Sequence, residues 1–87
     1  MSLPGPRTPE IEVMLLQIRS CLVEEFGVSV DEAEGRICSE FGSFDLLDDD
    51  TEFYLGHEDE WYWANSIMYG PDVHWWVEGE YEVRPWP

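Results

Sequence analysis

Eighty-seven residues make one small domain, able to bury about 60 to 65% of the surface its unfolded chain exposes, which leaves little room for an enclosed catalytic cleft. Twenty acids against four arginines and no lysine give a formal charge of −16, a field that repels phosphate backbones and anionic membranes and so argues against direct nucleic-acid or membrane binding. With 44% apolar and 15% aromatic residues the chain is too hydrophobic for disorder, because burying its rings offsets the entropy of ordering.

Residues 1–7 read as a flexible leader and 8–87 as a single acidic domain. The proline-broken start, Leu3-Pro4-Gly5-Pro6, offers no apolar signal core, and no run approaches the length of a membrane span, so a cytoplasmic protein is expected. Thr8-Pro9 is a helix start, a capping hydroxyl followed by proline at the first helical position. Ile11, Met14, Leu15, Ile18, Leu22 and Phe26 then recur at helical spacing until Gly27. Ser29-Val30-Asp31-Glu32 is a capping box that opens a second helix with Val30, Ala33, Ile37 and Phe41 inward, Glu32 and Arg36 paired four apart on the outside, and Gly42 as the stop. Ser43 to Glu52 has no clean period; its Phe44, Leu46 and Leu47 are expected to plug the helix pair, and Asp48-Asp49-Asp50 to be a solvated loop. Phe53-Tyr54-Leu55 is a candidate short strand. A third helix is expected over residues 58–68 with Trp61, Ala64, Ile67 and Met68 inward and Gly70-Pro71 as its end. In the tail, Val73, Trp75 and Val77 alternate with His74 and Trp76, and Glu80, Glu82 and Arg84 with Tyr81 and Val83, which predicts a hairpin about Glu78-Gly79.

The expected fold is therefore mainly α, three helices with an aromatic C-terminal hairpin or irregular arm; an α+β domain with a small antiparallel sheet is the alternative. The segment His57-Glu58, Tyr62-Trp63-Ala64, Ile67 and Tyr69-Gly70 resembles an uncharacterised family of small bacterial proteins, a likeness running from residue 8 to about Trp76. It implies a bacterial source and assigns no activity or site residue.

Chemistry-bearing patterns are few. His57-Glu58-Asp59-Glu60-Trp61 begins like a zinc-protease helix, but Trp61 stands where the second histidine ligand must be. Asp48 onward fails as a calcium loop, with Phe53 at the turn position that requires glycine. Cys21 and Cys38 fall beside Ile18, Leu22, Ile37 and Phe41 and are expected to be reduced and buried. No catalytic residue, metal ligand or cofactor is expected.

Two features remain. Glu24 and Glu25 end the first helix and Glu40 the second, where the helix dipole disfavours negative charge, and with Asp48, Asp49 and Asp50 they suggest one acidic face. Tyr62-Trp63 and Trp75-Trp76 are adjacent pairs, and neighbours on a helix or strand cannot share a face, so at least one ring of each pair is expected to be partly exposed. Trp63 and Trp76 are the candidates. Exposed tryptophan rimmed by acids suits arginine or lysine of a partner. The expected function is non-enzymatic binding of a basic protein, of the antitoxin, immunity or inhibitor type. A small-ligand or cation-binding module with an aromatic pocket, and a structural homodimer that buries the exposed rings, are the alternatives.

Overall fold

The computed structural model describes residues 3–70, 73–77 and 79–86. Among them are four α-helices: α1 (Pro9–Phe26), α2 (Val30–Phe41), α3 (Asp49–Gly56) and α4 (Glu60–Tyr69). Helix α1 packs on all three others, and α2 also meets α4.

The hydroxyl caps of the first two helices operate as their chemistry requires, and the Glu32 carboxylate of the second is bonded to Arg36. The Thr8 hydroxyl accepts from the Ile11 amide with Pro9 at the first turn, and the Ser29 hydroxyl accepts from the Glu32 amide. Each such cap is worth about 1 kcal/mol. Gly27 closes α1 in the left-handed region, φ 70°, and its amide donates to the Val23 carbonyl, a conformation that favours glycine. Ile11, Leu15, Ile18 and Leu22 form the fully buried stripe of α1, at the i, i+4, i+7 and i+11 positions of one helical face. Ala33, Ile37 and Phe41 of α2, Leu46, Leu55 of α3, and Trp63, Ala64, Ile67 and Met68 of α4 complete the core. Leu3, which sequence places in the leader, is buried against it. Of the residues expected to plug the helix pair, Leu46 is buried, while Phe44 and Leu47 are exposed, as is Val30; Arg36, expected on the outside, is buried under the tail it holds.

The segment read as a loop followed by a short strand is instead α3. The Asp48 carboxylate accepts from the Asp50 amide, and Asp49, Asp50 and Glu52 in the first turn offset the positive end of the helix dipole. An aspartate run that looks like solvated loop by composition is thus a helix start, and Phe53-Tyr54-Leu55 belongs to the helix it opens.

The expected hairpin is also corrected, apart from Glu78, which lies outside the described residues. Residues 73–77 and 79–86 contain no strand. The Arg84 amide, which a hairpin would direct at residues 73–77, donates to the Met68 carbonyl in α4 at 2.7 Å, and Val77 closes a turn onto His74. A two-stranded hairpin is marginal without a third strand, and the candidate third strand is helical. The tail gains more by laying its rings along the helices. Its far end is clasped: Arg36 donates from Nε to Glu32 at 2.9 Å and from Nη2 to the Arg84 carbonyl at 2.8 Å, its guanidinium lies 6.0 Å from the Trp86 ring centroid, and Arg84 reaches Glu40 at 3.5 Å.

Candidate functional site

The proposed acidic face does not form as one patch. Glu24 and Glu25 are exposed on the last turn of α1. Asp48, Asp49 and Asp50 start α3 beside the other end of α1, where Asp49 shares a concavity with Glu10, Met14, Phe53 and His57. Fifteen residues of helix between Glu10 and Glu25 amount to about 22 Å. Glu40 takes Arg84 in an ion pair on the α2 side. Three roles thus divide the six carboxylates: two exposed at the end of α1, three starting a helix, and one holding the tail.

The tryptophan exposed on α4 is also not the expected one. Trp63 is 6% exposed and Trp61 is 45% exposed. The Trp63 indole N–H donates to the Leu55 carbonyl at 2.8 Å, and its ring meets Phe41 edge-on and Tyr54 at a tilt. Both the acceptor and the Tyr54 ring belong to α3, so the helix that sequence reading lacked is what selects Trp63 for the core. Helix α4 starts at Glu60 with Asp59 as its cap, the carboxylate accepting from the Tyr62 amide. Trp76, the other candidate, is exposed at 61%.

Trp61 instead joins Glu24 and Glu25. It stacks on Phe26 with centroids 6.0 Å apart and 22° between planes, and it stands between two concavities. The first, about 520 Å³, runs along the outer face of α1 from Val13 and Leu16 through Cys21 to Glu24 and Glu25, with Glu60 and Trp61 as the facing wall. The second, about 620 Å³, is bounded by Glu25, Phe26, Trp61 and Tyr69 on the helices and by Trp75, Trp76 and Tyr81 of the tail. Asn65 at its base is held by an Nδ2 bond to the Trp61 carbonyl. Glu25 and Trp61 line both.

The electrostatics of this face are one-signed. The Cys21 thiol is held above its ordinary 9.0, first by burial and then by the charges of Glu25, Glu60, Asp59 and Glu24. No arginine offsets them, because each is bonded elsewhere: Arg7 to Glu12, Arg19 to Glu34, Arg36 to Glu32 and Arg84 to Glu40. Both cysteines are half-buried thiols outside any disulfide, less enclosed than expected. Cys38 is likewise pushed up, by burial first and then by Glu34. A raised thiol is a poor nucleophile at neutral pH.

His57 is exposed at the end of α3, against Phe53 with centroids 6.4 Å apart. His74 lies in the tail, stacked on Trp76 at 5.1 Å. Among the described residues, no three of His, Cys, Asp and Glu are grouped as metal ligands require, and no helix is long and apolar enough to cross a membrane.

Sequence reasoning missed Asp59, Glu60, Trp61 and Trp75 as members of this face. The available signal was Asp59 itself, a capping residue immediately before the apolar run. Starting the helix there sets Trp63, with Ile67 four residues on, as the inward stripe. No known protein family, curated protein or solved structure matches the chain.

Proposed function

We propose that this chain is a non-enzymatic binder of a basic protein, of the antitoxin, immunity or inhibitor type, and that it engages its partner through the face centred on Trp61. The observation that carries the reading is a mismatch within one molecule. Every arginine is committed to an ion pair, while the exposed carboxylates of Glu24, Glu25 and Glu60 rim concavities walled by exposed and half-exposed rings. Such a surface attracts cations at long range and offers flat apolar area at contact, the combination that steers association and then slows dissociation.

The test is capture from a lysate of the source organism at low salt, followed by identification of the bound proteins by mass spectrometry and repetition with variants. Basic partners that elute as salt rises are expected. Glu24→Gln, Glu25→Gln and Glu60→Gln together should lose them, while Asp48→Asn, Asp49→Asn and Asp50→Asn together should keep them. Exclusively acidic or neutral partners, or capture indifferent to salt, would defeat the proposal. A second reading, a module for small organic cations, is favoured by one observation: six aromatic rings line one open concavity, and aromatic rings attract cations.

A further inference from the structure

We infer that the concavity between α4 and the tail is a receptor for an arginine side chain of the basic partner, its guanidinium stacked on the rings and paired with Glu25. This rests on the proposed function and specifies what that face recognises.

The walls carry the argument. Tyr81, Tyr69, Phe26, Trp61, Trp75 and Trp76 form an unbroken row of rings, each centroid 5.5 to 6.1 Å from the next, and all six line the same concavity. Phe26 and Trp61 lie near-parallel at 22°, and the planes turn sharply on either side of them: 70° between Tyr69 and Phe26, 88° between Trp61 and Trp75, 84° between Trp75 and Trp76. A row that bends around one space brings aromatic rings to it from several directions, His74 backing Trp76 at 5.1 Å, and aromatic rings attract cations over their faces. Among the described residues, Glu25 supplies the one carboxylate in that lining.

The same protein shows how it holds a guanidinium. Arg36 combines a tryptophan face, Trp86 at 6.0 Å, with a carboxylate, Glu32 at 2.9 Å, and a backbone carbonyl, that of Arg84 at 2.8 Å. The concavity by Trp61 offers tryptophan faces and a carboxylate in the same combination, and none of the chain's arginines lines it. A planar, weakly hydrated guanidinium stacks on rings and bonds a carboxylate with parallel N–H groups. A lysine ammonium, compact and strongly hydrated, does this less well, and a quaternary ammonium has no N–H to donate to Glu25.

The experiment follows the indole N–H signals of the ¹⁵N-labelled full chain by NMR during titration with N-acetyl-arginine methylamide. The lysine analogue, tetramethylammonium chloride and sodium chloride are added at matched ionic strength. The arginine compound is expected to move the Trp61, Trp75 and Trp76 signals to saturation while Trp63 and Trp86 stay still. The lysine analogue and tetramethylammonium should bind more weakly. Glu25→Gln should weaken arginine binding about two- to five-fold and Trp76→Ala about ten-fold, with unchanged dispersion of the remaining signals as the check on folding. Shifts reproduced by sodium chloride, tetramethylammonium binding as tightly as arginine, or an unaffected Glu25→Gln variant would overturn the inference. Failure of the arginine compound while a basic protein is still captured overturns this inference alone; arginine binding with only acidic proteins captured overturns the proposed function alone.

Discussion

Cys21 reports on the face it lines. Its thiol is pushed up by burial first and then by Glu25, Glu60, Asp59 and Glu24, so removing the Glu25 charge lowers it and raises the reactive thiolate fraction. Alkylation of Cys21 by iodoacetamide at pH 8, followed by peptide mass spectrometry, should be faster in Glu25→Gln than in the parent and unchanged in Asp49→Asn, whose carboxylate lies about 22 Å away along α1. The linked effect on stability has a definite sign. A thiol raised in the folded state favours folding fully while pH stays below the unfolded thiol's value, and that contribution is lost as pH climbs through the folded one. Cys21→Ser should therefore lose less stability than the parent between pH 8 and 10, read as urea midpoints. The two tryptophans once grouped as exposed should separate by the same measurement. Trp63→Ala removes a buried ring and strands the Leu55 carbonyl, at a cost of about 3 to 5 kcal/mol. Trp76→Ala, at an exposed position, should stay within about 0.5 kcal/mol of the parent.

At the scale of elements, the tail depends on one side chain. Arg36 is buried and holds Glu32, the Arg84 carbonyl and the Trp86 ring together, so Arg36→Ala should cost about 2 kcal/mol or more. It should also release residues 73–86 to limited proteolysis while the helical circular dichroism persists. Arg36→Lys should not restore protection, because one ammonium cannot bond two acceptors in fixed directions and lie flat on the indole. What was legible in the sequence follows the same division between local and distant causes. Helices α1 and α2 are announced by Thr8-Pro9 and Ser29, whose hydroxyls act within three residues, and their spans appear as read, although in α2 Val30 is exposed and Arg36 buried. The start of α3 has a comparable signal in Asp48, but it is disguised by two more aspartates that look like loop. That omission propagated: without α3 there is no Leu55 carbonyl for Trp63, and Trp61 becomes the apparent core residue. The alternation at residues 73–84 was real and its meaning was not, since whether alternating residues pair as strands depends on a third strand that the local pattern cannot supply. Helix geometry separates the adjacent rings of α4, whereas Trp75 and Trp76 lie in a turn and border one concavity together. One ring of each pair is indeed left partly exposed, half-buried Tyr62 beside Trp63 and exposed Trp76 beside half-buried Trp75.

Over the whole molecule, a formal charge of −16 acts on folding and on binding with opposite signs. Sixteen negative charges in excess, with all four arginines already locally paired, repel one another in the folded chain more than in the expanded one. Screening that repulsion stabilises the fold. The attraction of a cationic partner to Glu24, Glu25 and Glu60 is weakened by the same screening. Between 50 and 300 mM salt the screening length shortens from about 14 to about 6 Å, shorter than the distance between the two ends of α1, so charges on the far side of the molecule cease to contribute to steering. The melting temperature should therefore rise across this range while the association rate with a basic partner falls. Dissociation, governed by the rings at contact, should change little. Glu24→Gln with Glu25→Gln should flatten both salt dependences at once, since the same two carboxylates at the end of α1 oppose its dipole and face the partner. A melting temperature indifferent to salt would show that self-repulsion is already relieved in the folded chain. An association rate that stays salt-dependent in the doubly neutralised protein would move the steering charge away from the face at Trp61.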